Sequence, residues 1–247
     1  MNKTQRFEHS LPFHTLRVDI FEGNVKRFIH GANFVTLRQL RYAFRHRPQF
    51  QKHLPFIRDA LFGKNLEEFD DDDPDGSCMT QLITDDILLY KMTQLEAENE
   101  TESPTFGQIK IDIYKLIILG VILCWGSAQL KSQVLYNCIQ THTQEFIVPN
   151  DRMLEVLACI IKFSSVLLVK HACKFAHEPD YQQAELPLKL IDEELIESVR
   201  EDFLEAVFGT ESKMQRKLFL KKILEEENRW ILDSELVRQR IKQHLRA

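Results

Sequence analysis

The stretch that decides the fold is Ile109–Gln140, IKIDIYKLIILGVILCWGSAQLKSQVLYNCIQ. It is the most apolar part of the chain, and its segment Leu116–Trp125 holds ten residues without a charge. A transmembrane helix needs about 20 apolar residues, so this segment is too short to span a bilayer. We predict a helix packed on nearly all sides at the centre of a globular domain. The chain then turns at Gly126-Ser127 and continues as a second helix, Ala128–Gln140.

The composition of the whole chain favours a helical protein. Its 247 residues suffice for one large or two small domains, and 44% of them are hydrophobic. The low content of turn residues, 8 Gly and 8 Pro, argues against an all-β chain with its many tight turns. We therefore predict an all-α fold, since apolar residues recur at helical spacing and no convincing strand alternation is found.

Helical spacing and capping residues place the predicted helices. Asn150 and Ser234 are expected to be N-caps, and Gly209 is expected to end a helix. The predicted helices are Leu16–His30, Thr36–Pro48, Gln49–Phe69, a segment that starts at Thr84, Ile111–Trp125, Ala128–Gln140, Asp151–Lys174, Ile191–Phe208, Lys213–Arg229 and Ser234–Leu245.

Charge is distributed unevenly along the chain, although the net charge is only -5. Residues 1–58 carry 11 Lys and Arg against 3 Asp and Glu, and residues 59–108 carry 2 against 14. Residues 211–247 are basic again, with 10 against 6. Segregated charge of both signs favours contacts with other proteins, or pairing between these segments, over nucleic-acid binding. Solvated faces without a partner are the alternative interpretation.

The cysteines and the N-terminal residues bear on the compartment. The chain has five cysteines and no CxxC pair, which is typical of reduced thiols in a reducing compartment. The first 20 residues are charged and lack an apolar core, so no secretory signal is expected. The sequence is only loosely compatible with a mitochondrial presequence, because Glu8 interrupts its basic character.

One local pattern recurs: a helix, a polar turn, one aliphatic residue and then another helix. It is found around Val35, at Ile109 after Gly107, and at Ile147. This layout resembles the EF-hand family, in which helices flank a 12-residue loop and the residue at position 8 joins paired loops in a short ladder. The chain is similar to divergent EF-hand-like proteins of ciliated protists over Leu16–Lys174, with a further hand at Ile196–Leu224.

The resemblance implies an EF-hand-like helical core over residues 1–180, with an acidic insert near residues 67–77. A charged, amphipathic C-terminal helical segment over residues 187–247 would follow it. The loop residues that would coordinate a cation do not suit one, because a hard cation needs clustered carboxylates. With Val35, Ile109 and Ile147 at position 8, the first three ligand positions hold Phe28, His30 and Ala32; Glu102, Pro104 and Phe106; and Gln140, His142 and Gln144.

One loop does carry acid. The residues from 71 to 76, DDDPDG, match the start of a calcium loop and make Asp71, Asp73 and Asp75 candidate metal ligands. Position 12 is Leu82, so the bidentate carboxylate is missing, and Pro74 stiffens the turn. The loop is either an acidic surface loop or a weak Ca²⁺ site, and no other cofactor is expected.

Motifs typical of enzymes are missing from the sequence. No P-loop, dinucleotide, zinc-protease or nucleophile-elbow string occurs. His171, Cys173 and His177 lack a second ligand pair with zinc-type spacing, and Glu225-Glu226-Glu227 is typical of a solvated helix face. A novel enzyme site remains a third interpretation, which would require a deep pocket with convergent polar groups.

We therefore expect a non-enzymatic structural or adaptor subunit of a larger protein assembly. Its partners would be other proteins, with no nucleic acid and no direct membrane span. The resemblance places it in the cytoplasm, cytoskeleton or cilium. The alternatives are a Ca²⁺ sensor that uses the acidic loop, and an accessory subunit of a mitochondrial complex.

Overall fold

The computed structural model describes residues 1–27, 34–47, 50, 110–140, 146–176 and 184–246, and most of these are helical. The all-α character is confirmed. The helices are α1 Lys3–Ser10, α2 Val18–Lys26, α3 Leu37–Ala43, α4 Ile113–Leu123, α5 Ala128–Ile139, α6 Asp151–Lys162, α7 Leu168–Phe175, α8 Glu193–Phe208, α9 Arg216–Leu224 and α10 Ser234–His244. The strands are β1 Phe34–Thr36, β2 Lys110–Asp112, β3 Phe146–Ile147 and β4 Met214–Gln215.

The strands form two short antiparallel ladders. β1 pairs with β2, where Val35 lies opposite Ile111, and β3 pairs with β4, where Ile147 lies opposite Met214. A helix begins within a few residues of each strand's end. The partner of Val35 is Ile111, two residues after Ile109, which the resemblance set at position 8 of the second loop. All four ladder residues are buried.

Helix α4 lies at the centre of the hydrophobic core. The Asp112 side chain accepts a hydrogen bond from the Lys115 backbone N–H at 2.9 Å, which caps the helix after β2 ends. Every residue from Leu116 to Ile122 is buried, which confirms the prediction of a helix packed on nearly all sides. Among the described helices, none is both long enough and apolar enough to cross a membrane.

Gly120 lets an aromatic ring approach α4 closely. A Cβ atom at this position would lie 2.5 Å from the nearest ring carbon of Phe21 on α2. The Phe21 ring in turn belongs to a buried aromatic group, with ring centroids of Phe13, Phe44 and Phe50 within 6 Å of its own. This aromatic group thus connects α2 to the residue that follows α3 and, through Gly120, to α4.

The segment predicted as one helix, Asp151–Lys174, contains an irregular turn. Asn150 caps α6 as expected, since its side chain accepts from the Met153 N–H at 2.9 Å. A π-helical turn at Phe163–Leu167 then separates α6 from α7. Within it the Ser165 hydroxyl donates to the Ile161 carbonyl at 2.7 Å, a side-chain bond that often bends helices.

Two helix starts differ from the sequence-based expectation. Helix α1 was not predicted, although Asn2 and Gln5 form a reciprocal capping box at its start. At α10 the cap is Asp233 and not Ser234, because the Asp233 carboxylate accepts from the N–H groups of residues 235 and 236. Ser234 is instead a buried first residue of that helix.

The N- and C-terminal parts of the chain meet at a buried charge cluster. The Arg238 side chain on α10 is 0% exposed and donates two hydrogen bonds to the Glu8 carboxylate, at 2.7 and 3.1 Å. Its Nε lies 3.0 Å from the Glu185 carboxylate, which also accepts from Lys242 at 2.8 Å. The carboxylates of Glu8 and Glu185 balance the buried Arg238 and the partly exposed Lys242, so this cluster is electrically neutral.

Candidate binding groove

A groove forms where the start of α2, the start of α5 and the length of α9 come together. The chain just before α2 runs beside Trp125 in a short parallel pairing. The Trp125 N–H donates to the Leu16 carbonyl at 3.1 Å, and the Val18 N–H donates to the Trp125 carbonyl at 3.0 Å. These bonds fix Arg17 and Asp19 beside the first turn of α5.

The other two walls are held by caps and aromatic packing. The Ser127 hydroxyl accepts from the Leu130 N–H at 3.2 Å and so fixes the start of α5. On α9 the buried ring of Phe219 lies 6.1 Å from the ring of Tyr136 on α5 and 5.9 Å from that of Phe208 on α8. This packing turns the opposite side of α9 towards solvent.

The groove has a volume of about 740 Å³, which is enough to accept side chains from a bound molecule. Its residues are of two kinds, leucines and polar or charged groups. They are Arg17, Asp19, Ser127, Gln129, Leu130, Ser132, Gln133, Lys217, Leu220, Lys221 and Leu224.

The charged residues of the groove are three cations and one carboxylate. Arg17 donates to both oxygens of Asp19, at 2.6 and 2.7 Å. This hydrogen bonding raises the pKa of Arg17 and lowers the pKa of Asp19, so both stay charged at neutral pH. Within the described part of the chain, Lys217 and Lys221 have no acidic partner, and the groove is therefore net positive.

Trp125 pairs through its backbone with the segment around the groove residue Arg17, and its side chain is 54% exposed. The other tryptophan, Trp230, is only 8% exposed and packs edge-on against Phe203. Tryptophan and arginine are enriched among residues that dominate the energy of protein interfaces. The exposed Trp125 beside Arg17 is thus of a residue type that is common in such interfaces.

The metal ligands that the sequence suggested cannot be placed. Asp71, Asp73 and Asp75 lie outside the described residues. Among the residues that are described, no group of three or more His, Cys, Asp or Glu side chains is arranged to hold a metal ion. His171 packs against the Phe7 ring at 6.2 Å, and its suggested companion His177 also lies outside the described residues.

The cysteines of the core are not activated thiols. Burial raises the pKa of Cys124 far above its usual value and raises that of Cys138 to about 12. It raises the pKa of the partly buried Cys159 to about 11. These thiols stay protonated at neutral pH, and the protonated form is a poor nucleophile. The expectation of buried, reduced cysteines is consistent with Cys124, Cys138 and Cys173, which are buried and form no disulfide with one another.

Sequence reasoning identified the amphipathic helices but not this groove. A cationic pair at positions 217 and 221 is visible in the sequence, because residues four apart share a helix face. The contribution of Arg17 and Asp19, more than 100 residues away, has no local signal. Comparisons of the chain with protein-family models, curated proteins and solved structures found no match.

Proposed function

We propose that the protein is a non-enzymatic structural or adaptor subunit that binds another protein of a larger assembly. The observation that carries this proposal is the groove between α5 and α9, together with the exposed Trp125, whose backbone pairs with the groove residue Arg17. Its mixture of leucines, hydrogen-bonding groups and charge is what a partner helix needs from a receptor surface. The binding of a partner helix requires no nucleophile, base or metal ion in the groove.

The EF-hand-like interpretation belongs to the same proposal. It is supported by the two antiparallel ladders. Buried Val35 pairs with Ile111 in one ladder, Ile147 pairs with Met214 in the other, and a helix follows each strand. Residues 207 to 218, which would form the loop that places Met214 at position 8, also lack clustered carboxylates. Such hands would retain their packing and not bind metal. A cytoplasmic, cytoskeletal or ciliary location follows from the resemblance.

Two alternatives remain from the sequence. A Ca²⁺ sensor would use Asp71, Asp73 and Asp75 as weak ligands, and its partners would depend on Ca²⁺. An accessory subunit of a mitochondrial complex would share the groove but differ in compartment. Co-purification with and without a chelator distinguishes the first alternative from the proposal. The identity of the partners distinguishes the second.

The test is co-purification of the tagged chain from its native source, with Ca²⁺ and with chelator, for wild type, Trp125→Ser and Tyr42→Ser. Tyr42 is a matched control because it is an aromatic side chain with 57% exposure on a different helix, α3. We expect one set of partners in both buffers, reduced at least about fivefold by Trp125→Ser alone. Partners that appear only with Ca²⁺ would favour the sensor, and equal recovery with both variants would reject the groove.

A further inference from the structure

The charge of the groove indicates what kind of helix would bind there. Resting on the proposed function, we propose that the groove binds an acidic amphipathic helix of a partner protein. Leucines or similar residues on one face of that helix would meet the leucines of the groove. Aspartate or glutamate side chains beside them would meet Lys217 and Lys221.

The two lysines of the groove differ from the other cations of α9. The Arg216 guanidinium lies over the Tyr136 ring, 4.8 Å from its centroid, and Lys222 pairs with Glu225 at 3.2 Å. Lys217 and Lys221 both line the groove and have no carboxylate partner in the described ranges. Like charges four residues apart on a helix are destabilising. An acidic ligand would relieve this repulsion.

Among the described groove residues the single carboxylate, Asp19, does not neutralise these lysines. Asp19 is engaged by Arg17 through both oxygens, and the two charges cancel locally. The net positive charge of the groove therefore comes from Lys217 and Lys221. A basic partner helix would therefore meet repulsion from α9, whereas an acidic helix would be attracted.

The apolar part of the groove argues for a helix and against a simple anion. Leu220 and Leu224 are four residues apart and form an apolar column beside the column of the two lysines. Leu130 faces them from α5. A ligand must cover both columns, which an amphipathic helix does with side chains at positions i, i+3 and i+4. A polyphosphate or nucleic-acid backbone would leave the leucines uncovered.

The test measures the binding of three synthetic helical peptides to the full chain by fluorescence anisotropy. The first has leucines at i, i+3, i+4 and i+7 flanked by glutamates. The second keeps the leucines but replaces the glutamates with lysines, and the third keeps the glutamates but replaces the leucines with serines. We expect the first peptide to bind at least about tenfold more tightly than either of the others, and more weakly as salt is raised.

Charge-reversed variants then locate the binding. Lys217→Glu/Lys221→Glu should reverse the preference between the acidic and basic leucine peptides. The matched control is Lys189→Glu/Arg246→Glu, because it makes the same change in net charge at two exposed cations outside the groove. The control should bind the acidic peptide within about twofold of wild type. Circular dichroism of both variants should match that of wild type.

The outcomes separate this inference from the proposed function. Equal binding of both leucine peptides, each lost with Trp125→Ser, would overturn the acidic partner while leaving the groove as a docking site. Equal effects of the two double variants would likewise overturn it. No binding of any peptide would reject the groove itself. Equal binding of the serine peptide would show that charge alone suffices and would overturn the amphipathic helix.

Discussion

The central residues of α4 and the Arg238 side chain are both buried, but they are buried in different ways. Helix α4 is stabilised by apolar contact over its whole surface, from Leu116 to Ile122. Arg238 lies within hydrogen-bonding or ion-pair distance of Glu8 and Glu185, and Lys242 in turn pairs with Glu185. Apolar packing gains from each atom that it covers, whereas a buried ion pair must first offset the loss of hydration.

The comparison separates structure that can be read locally from structure that cannot. Ten consecutive uncharged residues predict α4 without any knowledge of its neighbours. Arg238 looks like any other cation on a charged helix, and its partner Glu8 is 230 residues away. A helical pattern therefore predicts which face is apolar but cannot predict that a charged residue on it becomes buried.

The largest effect is expected from Arg238→Met. It leaves the carboxylates of Glu8 and Glu185 in a poorly hydrated site without their main partner, which should lower the free energy of unfolding by about 3–5 kcal/mol. Arg240→Met is the matched control, because Arg240 pairs with the half-exposed Asp202 and should cost less than about 1 kcal/mol. Chemical denaturation of both variants measures the difference. Equal losses would contradict the account of a buried charge cluster.

In the apolar region the corresponding change is Gly120→Ala. The added methyl group would overlap the Phe21 ring, so we expect a loss of about 1–3 kcal/mol in the free energy of unfolding. Gly23→Ala on α2 is the control, because nothing lies within 4 Å of its Cβ position, and it should be neutral or slightly stabilising. Phe21→Leu should partly rescue Gly120→Ala. A neutral result for Gly120→Ala alone would mean that α2 and α4 are not in close contact.

A smaller effect is expected at the start of α1, the helix that carries Glu8. Asn2→Ala removes one half of the capping box and should cost about 1 kcal/mol. If the cap and the Glu8–Arg238 pair stabilise α1 independently, the losses from Asn2→Ala and Glu8→Gln should add within about 0.5 kcal/mol. Thermal melts of the two single variants and the double variant provide the cycle. If the double variant loses no more stability than the worse of the two single variants, the cap and the ion pair act as one unit.

The pH dependence of stability tests the charge cluster without removing a side chain. Burial raises the pKa of Glu185, but the hydrogen bond from Lys242 and the charge of Arg238 outweigh it, so the net pKa is lowered. A carboxyl with a lowered folded-state pKa stabilises the fold above its unfolded pKa, near 4.5, and loses this as pH falls through the folded value. The free energy of unfolding, measured from pH 7 down to pH 3, should therefore fall more for wild type than for Glu185→Gln. Parallel curves would contradict this.

Other parts of the fold show the same limit of sequence reasoning. The Asn150 cap and the end of α8 at Gly209, where φ is +56°, were predicted because both signals are local. Helix α1 was missed because its apolar pattern is too short to predict a helix. The spacing of Asn2 and Gln5, which form its capping box, was the signal that could have predicted it. The pairing of Val35 with Ile111 required strand register, which three-residue strands encode weakly. The groove could not be predicted without knowing how α9 packs.

The measurement that tests the central claim most directly is hydroxyl-radical footprinting of Trp125 in the native assembly and in the isolated chain. Trp125 is more than half exposed here, so the isolated chain should be oxidised readily at this side chain. If the groove binds a partner, oxidation of Trp125 should fall at least about fivefold in the assembly, while that of the buried Trp230 stays low in both. Equal oxidation of Trp125 in the two samples would contradict the claim.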